Sequence, residues 1–315
     1  MTDEPLPRIV VVGSVNMDLA TVVPHFPRPG ETLQGNRFLV APGGKGGNQA
    51  IAAARLGANV ALIACVGNDE FGPRLLASLQ AEGIDCSGVV TSEHAASGIA
   101  MVVVDHTGNN SIVTVQGSNG DLTPQQVARH VDSLATARMI VCDLTVPVAT
   151  VESVLSTARQ SGIPVLLNAS PVQSPEPARL LPQIRYLVVN EVEAATLSAR
   201  PVDSIDDAKA VASALHDAGA THVLVTLGAR GVVAHFETDH GAQVAFFPAS
   251  PVTAVDTTGA GDTFAGAFAT AIVGGASGPR AIAFAQAAAA TCVTRAGAAP
   301  SIPYLHEIGI DFRSN

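Results

Sequence analysis

Apolar residues in this chain fall into short, uninterrupted runs rather than alternating with polar ones. Ile9–Val12, Val60–Cys65, Met139–Cys142, Val165–Asn168, Tyr186–Val189 and His222–Thr226 each read as such a run. A strand that is apolar on every residue is buried on both faces, as in a parallel sheet covered by helices. Between the runs lie stretches of helical spacing. One is capped by Asp69 and runs to Gln80, ending near Gly83; another starts at Thr123-Pro124 with a cap and a first-position proline. Val148–Gln160, Ile205–Asp217 and the alanine-rich Pro279–Arg295 are further helices. Such alternation predicts an α/β fold: a mainly parallel sheet with right-handed crossovers and helices on both faces.

Two segments break the rhythm. From Leu19 to Ala41, short β-prone pieces (Leu19–Val23, Glu31–Gln34, Arg37–Val40) are cut by Pro24, Pro27, Pro29, Gly30 and Gly35, and no helix fits. Gly98–Val104 and Ser111–Val115 form a hairpin about the turn His106-Thr-Gly-Asn-Asn110. Together these insertions, roughly 19–41 and 98–116, predict a small β-sheet lid. No linker or internal repeat divides the rest, so residues 1–315 read as a single domain carrying that lid.

Composition narrows the partners. At 47% hydrophobic and 14% charged, without tryptophan, the chain can bury a large core of Ala, Val, Ile and Leu. Formal charge is −10 and no Lys/Arg block occurs, which argues against nucleic acid. The four cysteines are scattered with no metal spacing, and the nine histidines show none either. Buried thiols fit a reducing compartment. The acidic, proline-bearing Met1–Arg8 is unlike a signal peptide, and apolar stretches such as Ala265–Ala276 are too short to span a bilayer. The expectation is a soluble cytoplasmic protein that binds no membrane.

Candidate chemistry concentrates in glycine-rich stretches. Val252–Val255 leads into Asp256-Thr-Thr-Gly-Ala-Gly-Asp-Thr-Phe, and a helical pattern runs on from Thr263 to Val273, so this reads as strand, tight loop, helix. Gly259 and Gly261 permit close backbone approach, and a helix start offers unpaired N–H groups and a positive dipole end to an anion, most naturally a phosphate. A carboxylate beside such a cradle is repulsive unless it has a task. Asp262 suits a base that takes a proton from an attacking hydroxyl, although an Asp before a helix is also an ordinary cap. Pro42-Gly-Gly-Lys-Gly-Gly-Asn48 runs into a helix at Gln49–Leu56. It is not a Walker A loop, because Gly46 stands after Lys45 where Ser or Thr is required. Gly43 and Gly44 instead offer backbone donors, and Lys45 and Asn48 add polar reach. With Asn16 and Asp18, just past the first strand's end, they make a cluster suited to a polyol. Asn190-Glu-Val-Glu193 follows another strand and reads equally as helix capping; Thr226-Leu-Gly-Ala-Arg-Gly231, taken alone, is a glycine turn.

The Asp256–Phe264 string resembles the C-terminal signature of the ribokinase/PfkB family of sugar kinases. Gly43-Gly-Lys-Gly-x-Asn-Gln-Ala50 and Gly13-Ser-x-Asn-x-Asp18 resemble its ribokinase branch. The likeness runs from about Val11 to Pro303. It implies Asp262 as catalytic base, with the amides of Gly259, Ala260 and Gly261 forming the anion hole for the transferred phosphoryl group. It implies sugar contacts from Asn16, Asp18, Gly43, Gly44, Lys45 and Asn48. Asn190 and Glu193 would organise Mg²⁺ and phosphate-bound water, and the loop bearing Thr226, Gly228 and Gly231 would face the nucleotide. Asp256, Thr258, Gly297 and Ser301 would hold a monovalent cation, K⁺, partly through carbonyls. One position departs from the family: Leu144-Thr145-Val146-Pro147 stands where Leu-Glu-x-Pro is usual, so Thr145 replaces a sugar-holding glutamate. The implied activity is ATP-dependent phosphorylation of a sugar's primary hydroxyl, with D-ribose first and a nucleoside or another furanose as alternatives. A catalytically inactive sugar binder is a third reading. Exposed lid edges predict a homodimer.

Overall fold

The computed structural model describes residues 8–106, 110–238 and 241–312; Thr107–Asn109 of the anticipated turn lie outside them. In chain order the elements are β1 (Arg8–Val12), β2 (Asn16–Val22), β3 (Arg37–Gly43), α1 (Lys45–Arg55), β4 (Asn59–Gly67), α2 (Phe71–Ala81) and β5 (Asp85–Ser92). Then come β6 (Gly98–Val104), β7 (Asn110–Val115), α3 (Pro124–Ala128), α4 (Val131–Ala135), β8 (Met139–Asp143), α5 (Val148–Ser161) and β9 (Val165–Asn168). The remainder is β10 (Tyr186–Asn190), α6 (Glu191–Ser198), α7 (Ile205–Asp217), β11 (His222–Thr226), β12 (Gly231–Thr238), β13 (Gly241–Pro248), α8 (Ala260–Val273) and α9 (Gly278–Val293).

Among the described residues nine strands form the main sheet in the order β13-β12-β11-β10-β9-β8-β1-β4-β5. All neighbours pair in parallel except at one edge, where β12 runs antiparallel to both β11 and β13. The apolar runs are buried as their composition requires: Ile9–Val12 is at most 1% exposed. Each face of this sheet lies on its own core. One core holds α1, α8 and α9 with Phe268 and Phe284 among the largest fully buried side chains; the other holds α5 and α7. Alanine dominates α8 and α9 because small side chains let the two helices approach closely.

Four strands form the second sheet, in the order β3-β2-β6-β7. It is built from the two predicted insertions, but it is mixed, since β2 and β6 are parallel while the outer pairs are antiparallel. Glu31–Gln34 is not a strand; the prolines around it leave an exposed loop between β2 and β3. The approach Val252–Val255 is not a strand either. The β12–β13 hairpin already closes that edge, and the N–H groups of Val255 and Asp256 are satisfied by the Val293 carbonyl at 2.7 and 3.2 Å. Other differences concern boundaries: α1 begins at Lys45 and α8 at Ala260, and the helix after Thr123 breaks at Arg129–His130. β5, β12 and β13 were not anticipated.

Candidate active site

The chain leaves β1 for β4 on one side of the sheet and later adds β8 on the other, so the strand order reverses between β1 and β8. Ligands of open α/β sheets sit at such a reversal, outside the carboxyl ends of the strands. Asn16 follows β1 here, Asp143 ends β8, and Asn168, its register partner, ends β9.

Asp262 stands over this point in the first turn of α8, 6% exposed. Three side-chain amides converge on its carboxylate: Asn48 Nδ2 donates to Oδ2 at 2.9 Å, and Gln49 Nε2 and Asn168 Nδ2 donate to Oδ1 at 3.3 and 3.4 Å. Asn48 and Gln49 lie in α1, so the helix rather than a loop delivers them. Burial raises the Asp262 pKa above the ordinary carboxylate value; the Lys45 charge and the Asn48 and Gln49 hydrogen bonds pull it partly back. Such a base has more affinity for a proton than an exposed aspartate, while the amides hold its geometry.

Asp18 approaches from the second sheet. Burial, helped by the like charge of Asp262, pushes its pKa to about 7. A side chain on Gly43 would collide with its carboxylate, and one on Gly44 (φ 90°) would come within 2.6 Å of the Asn16 backbone nitrogen. Glycine at these positions lets the end of β3 pack directly against Asn16 and Asp18. Asn16 is itself held, its Oδ1 accepting from Asn119 Nδ2 at 2.8 Å, while Asn119 Oδ1 accepts from the Val15 N–H at 2.8 Å. Gln116, just past β7, donates through Nε2 to the Thr145 carbonyl at 3.0 Å. Asn16, Asp18, Gly43, Gly44, Lys45, Asn48 and Thr145 thus lie around one cluster.

Beside the first turn of α8 opens a cavity of about 390 Å³, whose lining includes Thr226, Gly228, Gly231, Ala260, Gly261 and Phe264. Gly228 and Gly231 have φ of 54° and 125°, which glycine alone adopts readily. The proposed anion hole needs one correction. The Ala260 N–H donates to the Thr257 carbonyl at 3.2 Å, because Gly259 turns left-handed (φ 79°) before the helix begins. Among the described residues the amides of Gly259, Gly261 and Asp262 have no backbone acceptor, so they are the donors left at this helix start, Asp262 being unforeseen.

Asn190 and Glu193 are brought together as a reciprocal capping box: Glu193 N–H donates to Asn190 Oδ1 at 2.9 Å, and Asn190 N–H to Glu193 Oε2 at 3.0 Å. Asn190 is the register partner of Thr226 at the cavity edge. Among the described residues no group of three or more His, Cys, Asp or Glu side chains is gathered to hold a metal. Asp256 Oδ1 accepts from Thr258 N–H and Oγ1 at 2.9 and 2.6 Å, and its Oδ2 accepts from Gly297 N–H at 2.8 Å. Ser301 is fully buried, donating to the Ala298 carbonyl at 2.7 Å and lying 3.0 Å from Cys292 Sγ.

Gln49, Asn119, Asp143 and Asn168 are site residues that reading the sequence missed. Asn168 had a signal, as the polar end of an otherwise apolar strand, and Asp143 had the same one.

The pfkB family carbohydrate kinase model matches residues 6–305. The chain belongs to the pfkB family of carbohydrate kinases. Within that family it is 40% identical over 301 residues to the ribokinase of Haemophilus influenzae, covering 95% of this chain and 96% of the relative. It is 35% identical over 299 residues to the deoxyribokinase of Salmonella typhi, covering 95% and 96%. Among solved structures, Arabidopsis thaliana ribokinase complexed with ribose and ATP has a TM-score of 0.88 at 31% identity, over 96% of this chain and 97% of that one.

Proposed function

We propose that this pfkB-family enzyme phosphorylates the primary 5-hydroxyl of D-ribose with ATP, giving ribose 5-phosphate and ADP. The observation that carries the reading is the place of Asp262. It is joined by hydrogen bonds to the sugar-side amides, yet it sits in the helix turn that begins at Ala260 and lines the nucleotide cavity. A hydroxyl held against Asn16, Asp18 and Asn48 loses its proton to the Asp262 carboxylate as its oxygen attacks the γ-phosphorus. The bond from that phosphorus to the ADP oxygen breaks, and ADP leaves with the electron pair. Positioning supplies most of such a rate, because phosphoryl transfer needs little covalent help. The Gly261 and Asp262 amides and the α8 dipole face the charge on the transferring group.

Magnesium, when bound with the nucleotide, supplies charge neutralisation on the phosphates. The residues fit that ion: Mg²⁺ takes one or two carboxylates and keeps waters, and Glu193 commits only Oε2 to its cap. K⁺ would sit where Asp256, Thr258 and Gly297 meet, with neighbouring carbonyls as ligands; buried Ser301 braces that loop through Ala298. The second sheet serves as the lid that excludes water from the acceptor site. Its edges and apolar face also suit pairing with a second copy as a homodimer. Free cysteines, three of them buried, accord with a cytoplasmic setting.

A second reading, 2-deoxyribose or another furanose, is favoured by Thr145 at the expected glutamate position and by the likeness to a deoxyribokinase. Coupled ADP release with Mg-ATP and K⁺ over D-ribose, 2-deoxyribose, fructose, adenosine and inosine separates them. Preference for ribose supports the first reading, and preference for another acceptor moves the substrate while keeping the mechanism. Binding of ribose without turnover would replace the kinase by an inactive binder.

A further inference from the structure

Asp143 is absent from the machinery derived so far, yet it is the most enclosed carboxylate near the site. It closes β8 at 0% exposure. Its Oδ1 accepts two hydrogen bonds from one residue, the Thr145 N–H at 2.8 Å and the Thr145 hydroxyl at shorter range. Among the described residues its Oδ2 is buried without a hydrogen-bond partner. That second oxygen is pressed toward Gly13, where a side chain would collide with it and where Gly46 also packs. A sugar cannot reach Oδ2, so Asp143 does not itself hold substrate. What it does is fix a neighbour.

A threonine hydroxyl has one proton to give and two lone pairs to accept with. Here the proton is committed to a buried carboxylate, and the backbone N–H two atoms away is committed to the same oxygen. The Thr145 Oγ1 therefore presents only lone pairs to the partly open space beside β8. Its carbonyl is held in turn by Gln116, whose own carbonyl accepts from the same Asn119 Nδ2 that grips Asn16. Thr145 and the sugar-side Asn16 are thus fixed to one another through two polar residues.

The geometry points to Asp143 and Thr145 acting as one unit, a carboxylate-backed hydroxyl that accepts a hydrogen bond from one ring hydroxyl of the sugar and so selects for its presence. Asp143 is the positioning residue and Thr145 the contact. The negative charge that the usual glutamate would bring directly to the sugar is kept, but set back two residues along the chain and delivered through an oxygen with no proton to donate. The inference rests on the sugar-kinase reading for the class of ligand and for its place beside Asn16 and Thr145.

The experiment measures D-ribose binding by calorimetry without nucleotide, and KM and kcat with Mg-ATP. It uses wild type, Thr145→Val, Thr145→Ser, Asp143→Asn and the double variant Asp143→Asn/Thr145→Val, with thermal melting of each to verify folding. Removing the acceptor in Thr145→Val is expected to weaken ribose by on the order of tenfold in Kd and KM, with kcat little changed. Thr145→Ser recovers most of that loss, which a purely structural role for the methyl group would not allow. Within the monodeoxy-D-riboses, the sugar lacking the recognised hydroxyl binds wild type and Thr145→Val equally. Asp143→Asn keeps an oxygen that accepts from Thr145 but removes the charge behind it, so ribose weakens in the same direction by less than in Thr145→Val, and the double variant is no worse than Thr145→Val alone. Unchanged ribose affinity in Thr145→Val, or fully additive losses in the double variant, would overturn the proposal. Wild type that binds ribose but releases no ADP would defeat the kinase reading instead, leaving the binding comparison intact.

Discussion

Asp262 joins two demands that conflict in most settings: it must be near phosphate and it must bind a proton. Burial favours the protonated form, and the Asn48, Gln49 and Asn168 amides keep the charged form bearable until the hydroxyl arrives. Replacing Asp262 with Asn preserves size and removes the base. The expected result is loss of about 10²–10⁴-fold in kcat with ribose still bound, read by coupled ADP release beside calorimetry. Turnover near wild type would show that proton removal is done elsewhere. At this scale the sequence was most legible where residue type stands out locally, as at Asp262, Asp18 and Lys45, which the fold brings within electrostatic reach of one another. It was least legible where function depends on a partner far along the chain. Gln49 and Asn168 meet Asp262 across 213 and 94 positions, and nothing local announces either contact. Ala260 shows the reverse error: its amide looked free because a helix start leaves donors, but the Gly259 turn hands it to Thr257.

The catalytic geometry belongs to elements as much as to residues. α1 brings Asn48 and Gln49, α8 brings Asp262, and the two helices touch through Gly266, where a side chain would stand 2.6 Å from the Gln49 carbonyl and 2.7 Å from Ala52 Cβ. Gly266→Val would force these helices apart. Overpacking of this kind costs about 1–3 kcal/mol, so the melting temperature should drop, and kcat should fall with it because the amides withdraw from Asp262. A stable variant of normal activity would mean that the contact is slack. The buried parallel strands and the α5 and α7 helices could be read from periodicity alone, since each apolar run or face must be covered. Val252–Val255 could not, because an apolar run becomes a strand only if an edge is free to receive it, and β13 had already ended the sheet.

For the whole molecule, two properties follow from how the sheets sit. His222 is buried beside Tyr186, at 4.9 Å between rings, and near Phe236 at 5.6 Å. Burial, with the charges of Arg185, His216 and His235, holds its pKa down to about 4. The folded value lies below the unfolded value of about 6.5, so its contribution is complete above that pH and is lost as pH falls toward 4. Melting temperature should decline over that interval, and His222→Phe should flatten the decline; an unchanged slope in the variant would assign it to other groups. The second sheet leaves Phe38, Met101 and Val113 exposed at 69%, 43% and 56%. Met101 and Val113 are register partners, so they mark one face. If that face pairs with a second copy, Met101→Glu/Val113→Glu should shift sedimentation from dimer to monomer, whereas a monomeric wild type would remove the dimer from consideration.

Only Gly13, Ser14 and Val15 separate β1, an interior strand of the large sheet, from β2, which carries Asn16 and Asp18. The chain between β2 and β3, in contrast, is a long exposed loop. Room for change is therefore distributed unevenly. Extra residues grafted near Arg28–Gly35 would enlarge the outer loop and leave the recognition edge alone. A single residue inserted between Gly13 and Asn16 would have to be taken up in a three-residue connection that the Val15 N–H to Asn119 bond at 2.8 Å already fixes, while pairing with β3 and β6 holds β2 in register. Lineages of this fold, and engineers who wish to resize it, have length to spend in the first place and none in the second.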